Sequence, residues 1–284
     1  SIYYYIEVLC KHVSMQYMEE QKVEWIMIDK ALEINNTKPK YKYSVCTLVT
    51  KASEYEGMVN SFTNKGFNEQ NTEFLYISNI DNNQYDGYTG LNHMLNTAAG
   101  KYVILCHQDI LLNFDDESVL ENCIYELNDK DKNWALAGNA GGDSLTRYRR
   151  ITDPHGTSSI GNFPQKVKSL DENFIISNSK NRVALSGNLN GFHMYGTDLC
   201  LMADILGYSS YVINFHLQHN SAGNKDEAFY LSEKELIKKY QNAFKWRLIK
   251  SSCTKLFISH SKIFSRIFNI KIIKDLVFLF AKGK

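Results

Sequence analysis

The chain has 284 residues, 44% of them hydrophobic and 22% charged, with three prolines and sixteen glycines. That is enough apolar chain to bury a substantial core, and composition this ordinary excludes the disordered and fibrous classes. The net charge of +1 conceals ten Lys/Arg against one acid, Asp275, in residues 245–284; this net +9 leaves −8 on residues 1–244 and suggests an anionic surface as the tail's partner.

The acidic remainder and the absence of a stacking motif argue against nucleic acid as a partner. None of the six cysteines forms a C-x-x-C pair or shows metal-ligand spacing, which points to reduced, buried thiols of a cytosolic protein and away from a zinc site. No secretory signal is visible, and the late apolar run of residues 276–281 is too short to span a bilayer. The sequence begins at Ser1, as a trimmed chain or a piece of a longer protein would.

In chain order, residues 1–40 read as a helical extension closed by the turn-forming Asn35-Asn36-Thr37-Lys38-Pro39. Strands are predicted at 43–50, 74–78, 101–106 and 134–138, alternating with helices at 54–65, 88–99 and 115–128. Asp115 and Asp116 open the last of these helices. The alternation argues for βαβ units in an α/β fold with a mostly parallel central sheet flanked by helices. Residues 147–164 read as loop, with a turn at Asp153-Pro154-His155-Gly156. Further strands are expected at 166–176, 182–185 and 211–215, and a helix at 197–206 closed by Gly207. Residues 229–284 read as basic amphipathic helices. The domains expected are therefore 1–40, 41–228 and 229–284.

Four segments could carry chemistry. The apolar strand at 102–106 runs into His107-Gln108-Asp109, so Asp109 falls at the carboxyl edge of the sheet, where open α/β sheets bind ligands. A hard carboxylate there suits Mg²⁺ or Mn²⁺ holding phosphates, with His107 beside it; otherwise it is a strand-end cap. Asp198 opens a helix after a glycine-bearing turn. The helix dipole would keep it ionised and able to accept a proton from a hydroxyl, or it is simply an N-terminal helix acid. The segment FHLQHNSAGN carries His216 and His219, of which His219, where strand gives way to loop, is the better placed to reach a metal. Asp171 and Glu172, in KSLDENF, either line an acceptor site or bound a strand.

Asn79 at a strand end, the LNHMLNTAAGKYVILCHQDI block, LDE, FHMYGTDLCL and HNSAG together resemble the bacterial family-two-like glycosyltransferases of the GT-A fold, over residues 43–224. In this chain HQD stands where relatives carry Asp-x-Asp. The resemblance implies metal-dependent, inverting transfer from a nucleotide-diphosphate sugar to a glycan or lipid-linked acceptor, as in O-antigen or capsule synthesis. It implies Asp109 and His219 as ligands to Mn²⁺ or Mg²⁺, and Asp198 as catalytic base. Thr50, Asn79, Asn92, His107 and Asp109 would contact the donor.

In the basic tail, Leu256, Phe257, Ile263, Phe264, Ile267, Phe268 and Ile270 fall on one helical face, with Lys255, Lys262 and Arg266 on another. This pattern suits a cytoplasmic enzyme resting on the inner face of the membrane, or a helix packed on protein. Two rival functions stand beside sugar transfer: a nucleotidyltransferase, for which only Lys51 is available in a loop that should be basic and glycine-rich, and a catalytically idle nucleotide- or glycan-binding module.

Overall fold

Long buried strands need partners on both faces, and those predicted at 43–50 and 101–106 find them, while the one predicted at 74–78 is half-buried at the sheet edge. The computed structural model describes residues 38–223, 225–250 and 255–282. The helical extension expected over residues 1–40 lies outside the described residues, except for its last three.

The chain order is β1 Tyr41–Val49, α1 Ala52–Asn64, β2 Thr72–Ser78, α2 Gly87–Thr97, β3 Gly100–Cys106, β4 Ile110–Leu111, α3 Glu117–Lys130 and β5 Trp134–Gly138. Seven strands follow: β6 Ala140–Gly142, β7 Arg147–Asp153, β8 Gly156–Ile160, β9 Gln165–Val167, β10 Ser169–Leu170, β11 Phe174–Asn178 and, after α4 Tyr195–Ile205, β12 Ser209–Val212. The chain continues through β13 Leu217–His219, α5 Glu227–Ala243, β14 Arg247–Lys250, β15 Lys255–Ile258, α6 Lys262–Phe268 and α7 Lys271–Lys282.

The fold is mixed α/β, with a central sheet flanked by helices. The sheet runs β2-β1-β3-β11-β5-β12-β9. β2, β1 and β3 are parallel neighbours joined through α1 and α2, as expected. Beyond β3 the parallel order breaks, because β11 pairs antiparallel with both β3 and β5. No helix lies between β5 and β11 to carry the chain back across the sheet, so β11 returns in the opposite sense.

Side-chain alternation splits the core into two layers. Tyr102, Ile104 and Cys106 of β3 pack with Met58 and Phe62 of α1 and with Leu120 and Ile124 of α3. Val103 and Leu105 pack on the other face with Leu91 and Met94 of α2, Leu199 of α4 and Leu236 of α5. Strands covered on both faces read as continuous apolar runs, which is why this half of the sheet was legible.

A second sheet, β10-β6-β7-β13-β4 with β8 on β7, was not anticipated. Within residues 147–164, expected as loop, Arg147–Asp153 and Gly156–Ile160 form the β7–β8 hairpin; its turn does fall at Asp153 to Gly156. RYRRITD and GTSSI are polar and, apart from Ile151, exposed or half-exposed, so their pairing left no apolar run to read. The strand expected at 182–185 is absent. The all-helical reading of residues 229–284 holds for α5, α6 and α7 but fails at β14–β15, an antiparallel ribbon in which Leu248 faces Phe257. The single helical face proposed from Leu256 to Ile270 is broken there.

A cleft at the strand ends and a candidate metal centre

β1, β2 and β3 end side by side at the carboxyl edge of the sheet, and Thr50, Asn79 and His107 immediately follow them. A cleft of about 510 Å³ opens there, lined by Thr50, Lys51, Asn79, His107, Asp109 and Tyr195 among others. That volume is within the ordinary range for small-ligand sites.

Asp109 leaves β3 through a tight turn: the His107 N–H donates to the Asn173 carbonyl at 3.0 Å, and the Asn220 N–H donates to the Asp109 carbonyl at 3.2 Å. β4 then pairs antiparallel with β13, setting His219 opposite Ile110 and beside Asp109. His219 Nε2 lies 3.4 Å from Asp109 Oδ1, 3.4 Å from His107 Nδ1 and 2.9 Å from Ser221 Oγ. One ligand atom from each of His107, Asp109 and His219 falls within 4.8 Å of the others. Tetrahedral ligands about 2.0–2.1 Å from an ion stand roughly 3.3 Å apart, which the two 3.4 Å separations from His219 Nε2 match, while His107 and Asp109 would close in on the ion from within 4.8 Å. Two imidazoles and one carboxylate suit Mn²⁺ or another transition ion better than Mg²⁺, which prefers oxygen throughout. His216, by contrast, stacks on Phe114 with ring centroids 3.8 Å apart and bonds Thr152 Oγ1 at 2.9 Å.

Electrostatics favour this donor set. Partial burial works to raise the Asp109 carboxyl, but the hydrogen bond and charge of His219, with His107 and Ser221, hold it down at about 2. Burial, reinforced by the neighbouring His219, lowers the His107 imidazole below its usual range.

Gln108, between these two, is no ligand. Its Oε1 accepts from the Thr50 N–H at 2.8 Å and the Lys51 N–H at 3.0 Å, and its Nε2 donates to Thr50 Oγ1 and Glu54 Oε2, each at 2.9 Å. Lys51, the N-cap of α1, supplies no side-chain cap, so Gln108 closes that helix end from across the sheet.

Two residues expected to handle substrate do not reach the cleft. Asp198 is fully buried. Its Oδ2 accepts from the Ser186 N–H at 2.8 Å, and its Oδ1 from Ser186 Oγ at 2.7 Å, Tyr240 OH at 2.7 Å and Lys239 Nζ at 2.9 Å. Lys239 also donates to Ser186 Oγ. The side chain is enclosed by these donors, shut off from solvent and outside the cleft lining, where the catalytic-base expectation would have it face an acceptor hydroxyl. Asn92 clamps Leu185, donating to its carbonyl at 2.9 Å and accepting from its N–H at 2.8 Å. Both therefore pin the 185–186 segment under α2, α4 and α5. Asn79 does line the cleft while holding Tyr85, donating to its carbonyl at 2.8 Å.

Glu172 was named in the sequence only as part of an acceptor-side pair. Burial, aided by the adjacent Asp171 charge, pushes its carboxyl up to about 8 against the backbone N–H groups that open α4. Gly196 makes the fit possible, since a Cβ there would stand 2.3 Å from the Leu170 carbonyl oxygen.

No family model matches the sequence. The chain is 37% identical over 218 residues to the "ATP synthase subunits region ORF 6" protein of Fuscovulum blasticum, covering 73% of this chain and 86% of that protein. It belongs to that protein's family.

Among solved structures, similar ones include the mannosyltransferase PcManGT of Pyrobaculum calidifontis in complex with GDP-Man and Mn²⁺. Its TM-score is 0.46 at 12% identity, over 81% of this chain and 71% of that one. Residues 1–349 of S. aureus TarS in complex with UDP-GlcNAc give 0.49 at 10% identity, over 71% of this chain and 67% of that one. A longer S. aureus TarS chain gives 0.48 at 11% identity over 71% of this chain, which spans 40% of its length. At these scores the α/β assignment rests on the strand topology above.

Two outcomes follow. Removing the buried carboxylate in Asp198→Ala should cost about 3–5 kcal/mol in urea unfolding, because Ser186, Tyr240 and the largely covered Lys239 lose their shared acceptor; a loss of activity at unchanged stability would contradict the structural role. Glu172 binds its proton more tightly folded than unfolded, so its contribution to stability is lost as pH rises from about 4.5 to about 8. Thermal melting of Glu172→Gln should show a flatter dependence across that window than the wild-type protein.

Proposed function

We propose that the chain is a metal-dependent glycosyltransferase of GT-A type, carrying a sugar from a nucleotide-diphosphate donor to a glycan or lipid-linked acceptor, with inversion, in bacterial surface polysaccharide synthesis. The observation that carries this reading is the convergence of His107, Asp109 and His219 on one spot at the strand-end cleft. The transferase domain is assigned to residues 41–228, flanked by extensions at 1–40 and 229–284.

A divalent cation held by these three residues would supply Lewis-acid stabilisation of the departing nucleoside diphosphate. Thr50 and Asn79, at the ends of β1 and β2, face the same cleft and are assigned to the nucleoside. Gln108 holds the Thr50–Lys51 backbone in register with the metal ligands, so the nucleoside and diphosphate ends of the cleft are built as one unit. With Asp198 fully engaged in the interior, deprotonation of the acceptor hydroxyl is assigned to Asp171. This carboxylate is exposed, and its Oδ1 accepts from the N–H of Asn173, the residue whose carbonyl accepts from the His107 N–H. Removing such a base lowers kcat by about 10²–10⁴.

The tail adds a location. No helix among the described residues is long and apolar enough to cross a membrane. α6 and α7 nonetheless leave Ile263 68% and Phe280 81% exposed, with Phe264, Ile272 and Leu279 also exposed, near Lys262, Arg266, Lys271 and Lys274. Apolar and cationic side chains together suit the surface of an anionic bilayer, where each basic residue adds roughly 1 kcal/mol.

Incubation with a panel of nucleotide sugars, with and without Mn²⁺, tests the reaction. One donor should be hydrolysed or transferred in the presence of Mn²⁺, and that turnover should vanish in Asp109→Ala and fall steeply in Asp171→Asn. Donor binding without turnover would replace this reading with the idle binding module. For the tail, cosedimentation with vesicles rich in phosphatidylglycerol should drop in Phe264→Glu/Phe280→Glu, while vesicles of phosphatidylcholine alone should retain little of either protein. Equal partitioning of the variant and wild-type proteins would contradict the membrane assignment.

A further inference from the structure

We infer that Tyr195 is a positioning residue that fixes the tautomer of His107 and so presents the Nδ1 lone pair of that imidazole to the cation. This rests on the metal reading of the site proposed above. The Tyr195 hydroxyl lies between two groups: 3.1 Å from the main-chain carbonyl oxygen of Glu172, to which it donates, and 2.9 Å from His107 Nε2. A phenol has one proton, and a carbonyl oxygen can only accept. With that proton directed at Glu172, the contact with His107 is a hydrogen bond only if Nε2 carries hydrogen and donates. A neutral imidazole protonated at Nε2 has its lone pair on Nδ1, and Nδ1 is the atom 3.4 Å from His219 Nε2. The opposite tautomer would aim an N–H into the space enclosed by His107, Asp109 and His219.

The hydroxyl is held there by more than its own bonds. Tyr195 is the first residue of α4, and Met194 before it is the only non-glycine described residue with positive φ, at 66°. For a side chain of that size the left-handed conformation is unfavourable by about 1–2 kcal/mol, so packing on both sides must hold the turn. Tyr195 is 6% exposed, its ring meets Tyr88 edge-on at 6.5 Å, and Gly196 beside it sits against the Leu170 carbonyl. A histidine ligand whose second nitrogen donates to a fixed acceptor is oriented and made a better ligand, and removing such an outer partner lowers metal affinity by roughly 10- to 100-fold. Phenylalanine at this position keeps the ring and its packing and removes only the hydroxyl, with its bonds to His107 Nε2 and to the Glu172 carbonyl.

The test has one readout without metal and one with it. In ¹⁵N-histidine-labelled, metal-free full-length protein, two-bond ¹H–¹⁵N spectra should show His107 protonated at Nε2 and bare at Nδ1. In Tyr195→Phe, whose amide spectrum reports retention of the fold, that preference should disappear. Titration with Mn²⁺ followed by the free-ion electron paramagnetic resonance signal should show affinity about 10- to 100-fold weaker in Tyr195→Phe. A wild-type His107 protonated at Nδ1 overturns the inference, and so does an unchanged Mn²⁺ affinity in the variant. Wild-type protein that binds no Mn²⁺ while carrying the proton on Nε2 overturns the metal centre itself, and with it the purpose assigned to Tyr195.

Discussion

The short antiparallel pairing of β4 with β13 brings His219 against a strand end 112 positions earlier in the chain at His107. Two residues from each strand make the ladder, yet it determines whether the imidazole and the Asp109 carboxylate share a site. It is supported on the other side by β7, which runs parallel to β13. The second sheet thus acts as a scaffold for one side of the cleft, while the central sheet supplies the other. A site split between two sheets depends on their relative position, and the polar β7–β8 hairpin contributes to holding it.

Several polar side chains that look functional in the sequence serve that positioning instead. Gln108 caps α1 from just past the end of β3, tying the first strand-to-helix turn to the segment that carries His107 and Asp109. Asn92 and Asp198 grip adjacent residues, Leu185 and Ser186, from α2 and α4, and Lys239 and Tyr240 bring α5 to the same point. Buried ion pairs of this kind are weak evidence of net stabilisation, but an unpaired member is costly, and the network therefore enforces one arrangement of three helices. α4 carries both this interior network and, at its first residue, the hydroxyl that bonds His107.

What the sequence disclosed follows from how each element is buried. β1, β2 and β3 were legible because runs such as Val103, Ile104 and Leu105 are apolar on both faces, and Asp109 and His219 stood out as acid and imidazole where apolar strands end. β7 and β8 were not, because Arg147, Arg149 and Ser159 leave the alternation too polar to read. The sequence leaves the surroundings of Asp198 open for a physical reason: an acid in the first turn of a helix has the same local signature whether it faces solvent or Lys239. Only a partner 41 positions away distinguishes the two, and spacing within the helix carries no trace of it. Tyr195 lay inside a quoted motif and went unremarked, since a tyrosine at a helix start announces no chemistry until its two hydrogen-bond partners are seen.

The central claim is that His107, Asp109 and His219 make a single cation site at the rim of the cleft. Crystals of the protein soaked in Mn²⁺ and measured for anomalous scattering at the manganese edge test it most directly. The account predicts one strong peak at bonding distance from His107 Nδ1, Asp109 Oδ1 and His219 Nε2 together. A peak bound elsewhere, or an Asp109 side chain turned away from both imidazoles with no peak between them, would contradict it.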